Sequence, residues 1–170
     1  LLAAGLAPGS RVIAHSSLRS VGHVRGGPEV VVDAFQTVLG VTGTLVMPTF
    51  TFSLPEWNTE PFDAAKSPSR VGLVTETFRQ RPGVLRSDHP THSFAAWGAH
   101  AEEVVADHRA ATGVQGPLGW LLDHGGVIVQ LGTDQLTNTS LHLCEEVAQV
   151  PYLDVGFTEG QSHMTAHRLR

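Results

Sequence analysis

The stretch "RVIAHSSLRSVGHVRGGPEVVVDAFQTVLGVTGTLVMP", Arg11 to Pro48, decides the fold. Its two ends, "RVIAH" (Arg11 to His15) and "GTLVMP" (Gly43 to Pro48), are short apolar runs bounded by Gly, Pro and Ser, the pattern of buried strands. Between them "GPEVVVDAFQTVLG" places Pro28 at the first helical position and Val31, Ala34, Phe35 and Val38 on one predicted face, with Gly40 as the stop. Strand, helix, strand is the repeating unit of α/β architecture.

Outward from this unit the alternation continues. "HSFAAWG" (His92 to Gly98) and "GVIVQLG" (Gly126 to Gly132) read as two more strands. Helices are predicted over Arg70 to Gln80, His100 to Asp107, Gly116 to Asp123 and Thr139 to Val150, each set off by Gly, Pro or polar residues. The expectation is a single α/β domain with a largely parallel or mixed central sheet flanked by helices. The Pro-containing segment Thr49 to Ser69 is long for a connection, which makes it a candidate substrate loop or lid.

The 170 residues suffice for one real core. A formal net charge of −5 gives no reason to expect nucleic acid and favours a cationic ligand. Acidic residues of the long loop, Glu56, Glu60 and Asp63, are candidates to attract such a ligand. The lone Cys144 has no internal disulfide partner, and no leader or membrane-spanning run is recognisable, so a cytoplasmic protein is expected.

Three segments carry potential chemistry. In "HSSLRSVGHVRGG" (His15 to Gly27), hydroxyls and arginines follow a buried strand and lead through glycines to a helix, which suits an anion at a strand-to-helix turn. Capping hydroxyls in an ordinary turn account for the same residues equally well. "RSDHPTHSF" (Arg86 to Phe94) holds His89 and His92 three apart, but with no third ligand at a recognisable spacing a metal is not expected. In "TNTSLHLCEEVAQVPY" (Thr137 to Tyr152), Leu141, Cys144, Val147 and Ala148 form the predicted buried stripe, and His142, Glu145, Glu146 and Gln149 the polar face. His142 and Glu145 stand one turn apart, so the carboxylate can orient the imidazole; a solvated ion pair explains that spacing too. The helix follows the strand Gly126 to Gly132, and open α/β sheets build their sites at the carboxyl ends of strands.

Taken in order, "HSSLRSVGHVRGG", "GTLVMPTFT", "SPSRVGLVTETFR", "PGVLRSDHPTHSFAAWG", "GPLGWLLDHGGVIVQLG" and "NTSLHLCEEVAQVPY" resemble the aminoglycoside 3-N-acetyltransferase family. The resemblance covers about the first 152 residues. It implies acetyl transfer from acetyl-coenzyme A to the 3-amino group of a 2-deoxystreptamine antibiotic, on an α/β fold unlike the GNAT acetyltransferases. It marks His142 as the catalytic histidine and Glu145 as its acid partner. The coenzyme A segment it implies comprises Ser16, Ser17, Leu18, Arg19, Val21 and Gly22, with Arg86, Ser87, His92 and Ser93 lining the same cleft. Acceptor-side candidates are Glu145, His89 and Glu56; a metal is not needed, and a homodimer is possible. Family members with other acceptors keep a non-aminoglycoside amine open as the substrate. After "PYLD" the chain passes at once to "VGFTEGQSHMTAHRLR", which resembles the family's C-terminal strand and helix. The expectation is a main domain over 1–154, a closing piece of the same domain over 155–170, and a missing segment between Asp154 and Val155.

An ammonium group has no lone pair for a thioester, so a base must deprotonate it; an imidazole suits this because its ordinary pKa lies near neutrality. His142 is the expected base, with backbone N–H groups or hydroxyls holding the oxyanion and coenzyme A leaving as a thiol. Cys144, on the predicted buried stripe, is not expected to carry an acyl group. Two rival classes remain: a metal hydrolase using His89, His92 and His142, and a non-catalytic coenzyme A or nucleotide-binding module.

Overall fold

The computed structural model describes residues 1–51, 61–151, 153–157 and 165–169. Strand β1 (Arg11–Ser16) is buried along Val12, Ile13, Ala14 and His15, and β2 (Thr44–Pro48) along its whole length. Residues without polar alternation can sit only in the middle of a layered structure, covered on both faces. They do: the central sheet runs β3 (Leu85–Arg86), β4 (Phe94–Gly98), β2, β1, β5 (Val127–Leu131). β1 pairs in parallel with both β2 and β5, whereas β4 is antiparallel to β2 and to β3. The sheet is therefore mixed, with β4 returning toward β2 after the short β3.

Helix α2 (Gly27–Leu39) connects β1 to β2, with Pro28 in its first turn and Gly40 donating its N–H to Gln36 O at the end. Its buried residues are Val31, Val32, Phe35 and Leu39; Ala34, expected on this face, is exposed. The arc is turned by one position because Val32 and Leu39 present more apolar surface than Ala34 and Val38. With Val74 and Phe78 of α3 (Leu73–Arg79) they cover Val12, Ala14, Leu45, Met47 and Ala95 of the sheet. On the other face Ile13, Val46, Phe94 and Ala96 are covered by α4 (Ala101–Ala106), α5 (Pro117–Asp123) and, through Leu143, α6 (Ser140–Val147). A four-residue helix, α1 (Leu18–Val21), follows β1.

Helix α6 is shorter than the periodicity predicts. Gln149 takes a left-handed φ of 51°, Val150 N–H donates back to Glu145 O at 3.2 Å, and Pro151 follows. That reversal closes the helix and satisfies a terminal carbonyl. Strands β6 (Leu153–Phe157) and β7 (Thr165–Leu169) pair antiparallel in a separate two-stranded sheet, and β6 runs through both Asp154 and Val155. Among the described residues no helix is long and apolar enough to cross a membrane.

Candidate functional site

The parallel strands β1, β2 and β5 end at Ser16, Pro48 and Leu131, and antiparallel β4 begins beside Pro48, which is in register with Phe94. One edge of the sheet therefore gathers the Ser16 turn, the segment after β2, the residues before β4, and the link from β5 to α6. This is where an open α/β sheet places a ligand.

At the first of these, Ser17 N–H donates to Leu131 O at 2.9 Å, and Ser17 Oγ accepts from Ser20 N at 3.4 Å, capping α1. Gly132 presses against this turn with φ 69°; a Cβ there would lie 2.8 Å from Ser17 O and 3.0 Å from Val21 N. Only glycine lets the two backbones meet so closely in that conformation. Leu18 packs onto the core, whereas Arg19, Val21 and Gly22 face solvent.

Arg86 forms a hub under the same edge. Its Nε donates to Thr49 Oγ1 at 3.1 Å and Ser93 Oγ at 3.0 Å, Nη2 to Thr49 O at 2.6 Å, and Nη1 to Ala64 O at 3.2 Å and to Ser67 O. Burial lowers its pKa to about 10. The fork ties the end of β2, the start of β4 and the 64–67 turn together. Ser87 is also buried: its Oγ accepts from Phe94 N at 2.9 Å and lies 2.8 Å from His108 Nδ1. His89 is fully buried, accepts from His92 N–H through Nδ1 at 3.1 Å, and packs against His108 with ring centroids 4.7 Å apart and the rings tilted by 32°. Burial lowers the His108 pKa. His92 bonds Thr91 Oγ1 at 2.7 Å and packs on Phe50, which belongs to the same apolar cluster as Leu143 of α6. Among the described residues no group of three or more His, Cys, Asp or Glu side chains is placed to hold a metal ion.

Helix α6 begins with Asn138 Oδ1 accepting from Ser140 N at 3.1 Å. His142 Nδ1 lies 2.9 Å from Glu145 Oε2, with the imidazole about half exposed. If Nδ1 donates to the carboxylate, the lone pair is on Nε2. The predicted buried stripe of this helix is overturned: Ser140 and Leu143 are buried, whereas Leu141, Cys144, Val147 and Ala148 are exposed. Leu143 fits between α5 and the sheet, and this turns the other apolar arc outward. Burial of Cys144 is thus no argument about its chemistry. Asp63 is likewise engaged locally, pairing with Lys66 at 3.1 Å and accepting from Ala65 N–H, and these bonds hold its carboxyl below its ordinary pKa. Glu56 and Glu60 lie outside the described residues.

Sequence reasoning passed over Thr49 and His108, which organise the Arg86 and Ser87 networks. It also passed over His15 and Gln130, register partners on β1 and β5. Periodicity reads His15 as the last residue of a buried strand; only the absence of alternation hinted that it would be inside.

The family model described as aminoglycoside 3-N-acetyltransferase matches residues 13–168. The chain is 39% identical over 160 residues to aminoglycoside N(3)-acetyltransferase IV of Salmonella sp, covering 89% of this chain and 58% of that protein. It is 34% identical to the aminoglycoside N(3')-acetyltransferase-like protein YokD of Bacillus subtilis (strain 168), covering 89% of this chain and 63% of YokD. The chain thus spans about three fifths of the length of these relatives. The crystal structure of AAC(3)-IVa as the apoenzyme superimposes with a TM-score of 0.83 at 39% identity, over 91% of this chain and 60% of that one. That of AAC-IIIb binary with CoASH gives 0.79 at 33% identity, over 86% and 62%. With a family model matched over residues 13–168 and relatives alike in sequence and in fold over most of its length, the chain belongs to the aminoglycoside 3-N-acetyltransferase family.

Proposed function

We propose that the protein transfers the acetyl group of acetyl-coenzyme A to the 3-amino group of a 2-deoxystreptamine aminoglycoside, with His142 as general base. The observation that carries this is the His142–Glu145 pair, 2.9 Å apart on the helix that follows β5 at the ligand-binding edge of the sheet. Relatives support the two substrates: AAC-IIIb was solved with CoASH, and a histidine-to-alanine mutant of AAC(3)-IVa with apramycin. In this reading Glu145 orients the imidazole and stabilises the imidazolium, Nε2 takes the ammonium proton, and the amine attacks the thioester carbonyl directly. The carbon–sulfur bond breaks and coenzyme A leaves as the thiol.

The Ser16–Gly22 turn and His92 are the side of the edge assigned to coenzyme A. Arg86, Ser87 and Ser93, whose donors and acceptors are engaged within the protein, act there by holding the Thr49 and His92 segments in place. His89, fully buried, serves the acceptor side through His92 in the same way. We place the further family stretch that the resemblance leads one to expect after Asp154 between Asp154 and Val155, where it would complete the acceptor site; sequencing the gene across those codons tests that point. A second acceptor class, a non-aminoglycoside amine, is favoured by the likeness to YokD, whose name claims only resemblance to the acetyltransferases.

The deciding experiment is release of free thiol from acetyl-coenzyme A in the presence of a panel of aminoglycosides and simple amines. Release with aminoglycosides, abolished in His142→Ala, supports the proposal; cofactor binding without release for any amine would leave a coenzyme A-binding module instead.

A further inference from the structure

Some buried side-chain polar atoms find no hydrogen-bond partner among the described residues, and two of them sit on neighbouring strands at one face of the central sheet. They are His15 Nε2 near the end of β1 and Gln130 Nε2 near the end of β5. A buried polar atom left without a partner is costly, so an adjacent pair of them marks a place where something else completes the bonding. His15 is only 3% exposed.

His15 and Gln130 are register partners on parallel strands, so their side chains leave the same face of the sheet, next to each other. Alternation from Ile13 puts that face on the side covered by α5 and α6. The Gln130 amide has its Oε1 toward two hydroxyls, accepting from Thr133 Oγ1 at 2.5 Å and from Thr137 Oγ1 at 3.3 Å. Its nitrogen is therefore turned away from those hydroxyls, and an amide nitrogen can only donate. Whatever meets it must present an acceptor.

We propose that His15, as the tautomer with its proton on Nε2, and Gln130 form a paired hydrogen-bonding seat for a carbonyl oxygen of the acyl-coenzyme A molecule, either an amide carbonyl of its arm or the thioester carbonyl itself. The proposal rests on the acetyltransferase reading above. An uncharged seat fits an uncharged oxygen: burial lowers the His15 pKa to about 4, so the ring is neutral at physiological pH and repels neither a carbonyl nor the nearby cationic acceptor. The same two groups would serve a phosphate poorly, since neither brings positive charge.

The test is the affinity of the full chain for coenzyme A and for acetyl-coenzyme A, by calorimetry, in four proteins: wild type, His15→Leu, His15→Gln and Gln130→Glu. His15→Leu removes the polar atom but fills the space, His15→Gln returns a nitrogen near the same position, and Gln130→Glu keeps the acceptor for Thr133 and Thr137 while removing the donor. The expected result is roughly tenfold weaker binding in His15→Leu and Gln130→Glu, with most of it restored in His15→Gln. Loss toward both ligands assigns the arm carbonyl; loss toward acetyl-coenzyme A alone assigns the thioester. If wild type binds and the folded variants bind equally well, the seat is refuted while the acetyltransferase reading stands. If wild type binds neither ligand, both are refuted.

Discussion

The buried imidazole of His15 makes an acid-stability prediction whose size follows from the structure. Burial lowers its pKa from 6.5 to about 4, with no charged partner contributing to the shift. On acidification the unfolded chain takes up this proton first, so between these values the unfolded state binds more protons than the folded one. Stability from this group is therefore full above the unfolded pKa and is lost as pH falls from 6.5 toward 4. A difference of this size corresponds to about 3 kcal/mol. The perturbation is His15→Leu, which removes the titration and replaces an unbonded polar atom with apolar volume. Urea unfolding at a series of pH values should give wild type a slope across this window that the variant lacks, the gap between the two closing or reversing toward neutral pH. His108, also lowered by burial, and carboxylates held low by their partners, such as Asp63, titrate in both proteins and cancel in the difference. Stability curves that run parallel from neutrality down to about pH 4 would refute the reasoning, because the ring would then be protonated in the folded state as readily as in the unfolded.

Four further outcomes are expected. His142→Ala should cost acetyl transfer about 10²–10⁴-fold while leaving coenzyme A affinity nearly intact, and Glu145→Gln should cost less; both are read from thiol release alongside calorimetry. Cys144→Ser should acetylate at the wild-type rate, since direct attack needs no acyl-cysteine; a stalled variant would show that the exposed thiol takes part. Arg86→Ala should lower unfolding free energy by about 3 kcal/mol or more, with Arg86→Lys recovering less than half because an ammonium cannot reach Thr49, Ser93 and the 64–67 carbonyls together. Phe35→Ala, a fully buried core side chain, should cost about 3–5 kcal/mol by chemical denaturation.

The fold was legible where a segment is buried on both sides. Val12 to His15 and Thr44 to Pro48 have one possible home, the middle of a layered sheet, and the strands and helices of the unit Arg11 to Pro48 fall within a residue or two of the periodic pattern. Strand direction was not legible. The residues Phe94 to Gly98 read the same whether parallel or antiparallel; the reversal depends on the pairing with Leu85 and Arg86, two residues too few to carry a pattern. The helical arcs were read less well than the helices. In α2, Ala34 and Val38 fit the period as well as Val32 and Leu39, and Leu39, with more apolar surface than Ala34, lies in the interior.

The candidate site divides along the same physical line. His142 and Glu145 were legible because one helical turn sets their spacing, and the 2.9 Å contact follows from α6 being a helix at all. Which side of α6 faces the core was not, since Leu143 and the arc of Leu141, Cys144 and Val147 each satisfy the period, and only the position of Leu118 and Leu121 on α5 decides between them. Arg86 looked like a ligand residue because sequence shows a guanidinium beside serines, without the carbonyls of Thr49, Ala64 and Ser67 that consume its donors. His15 and Gln130 stood 115 positions apart in the chain, 130 − 15, and each alone reads as an ordinary strand residue. Parallel pairing makes them neighbours, and with its oxygen toward two threonine hydroxyls the Gln130 amide turns its donor away from them. Chemistry that depends on one side chain and its own helix can be read along the sequence; chemistry that depends on two strands meeting needs the sheet order first.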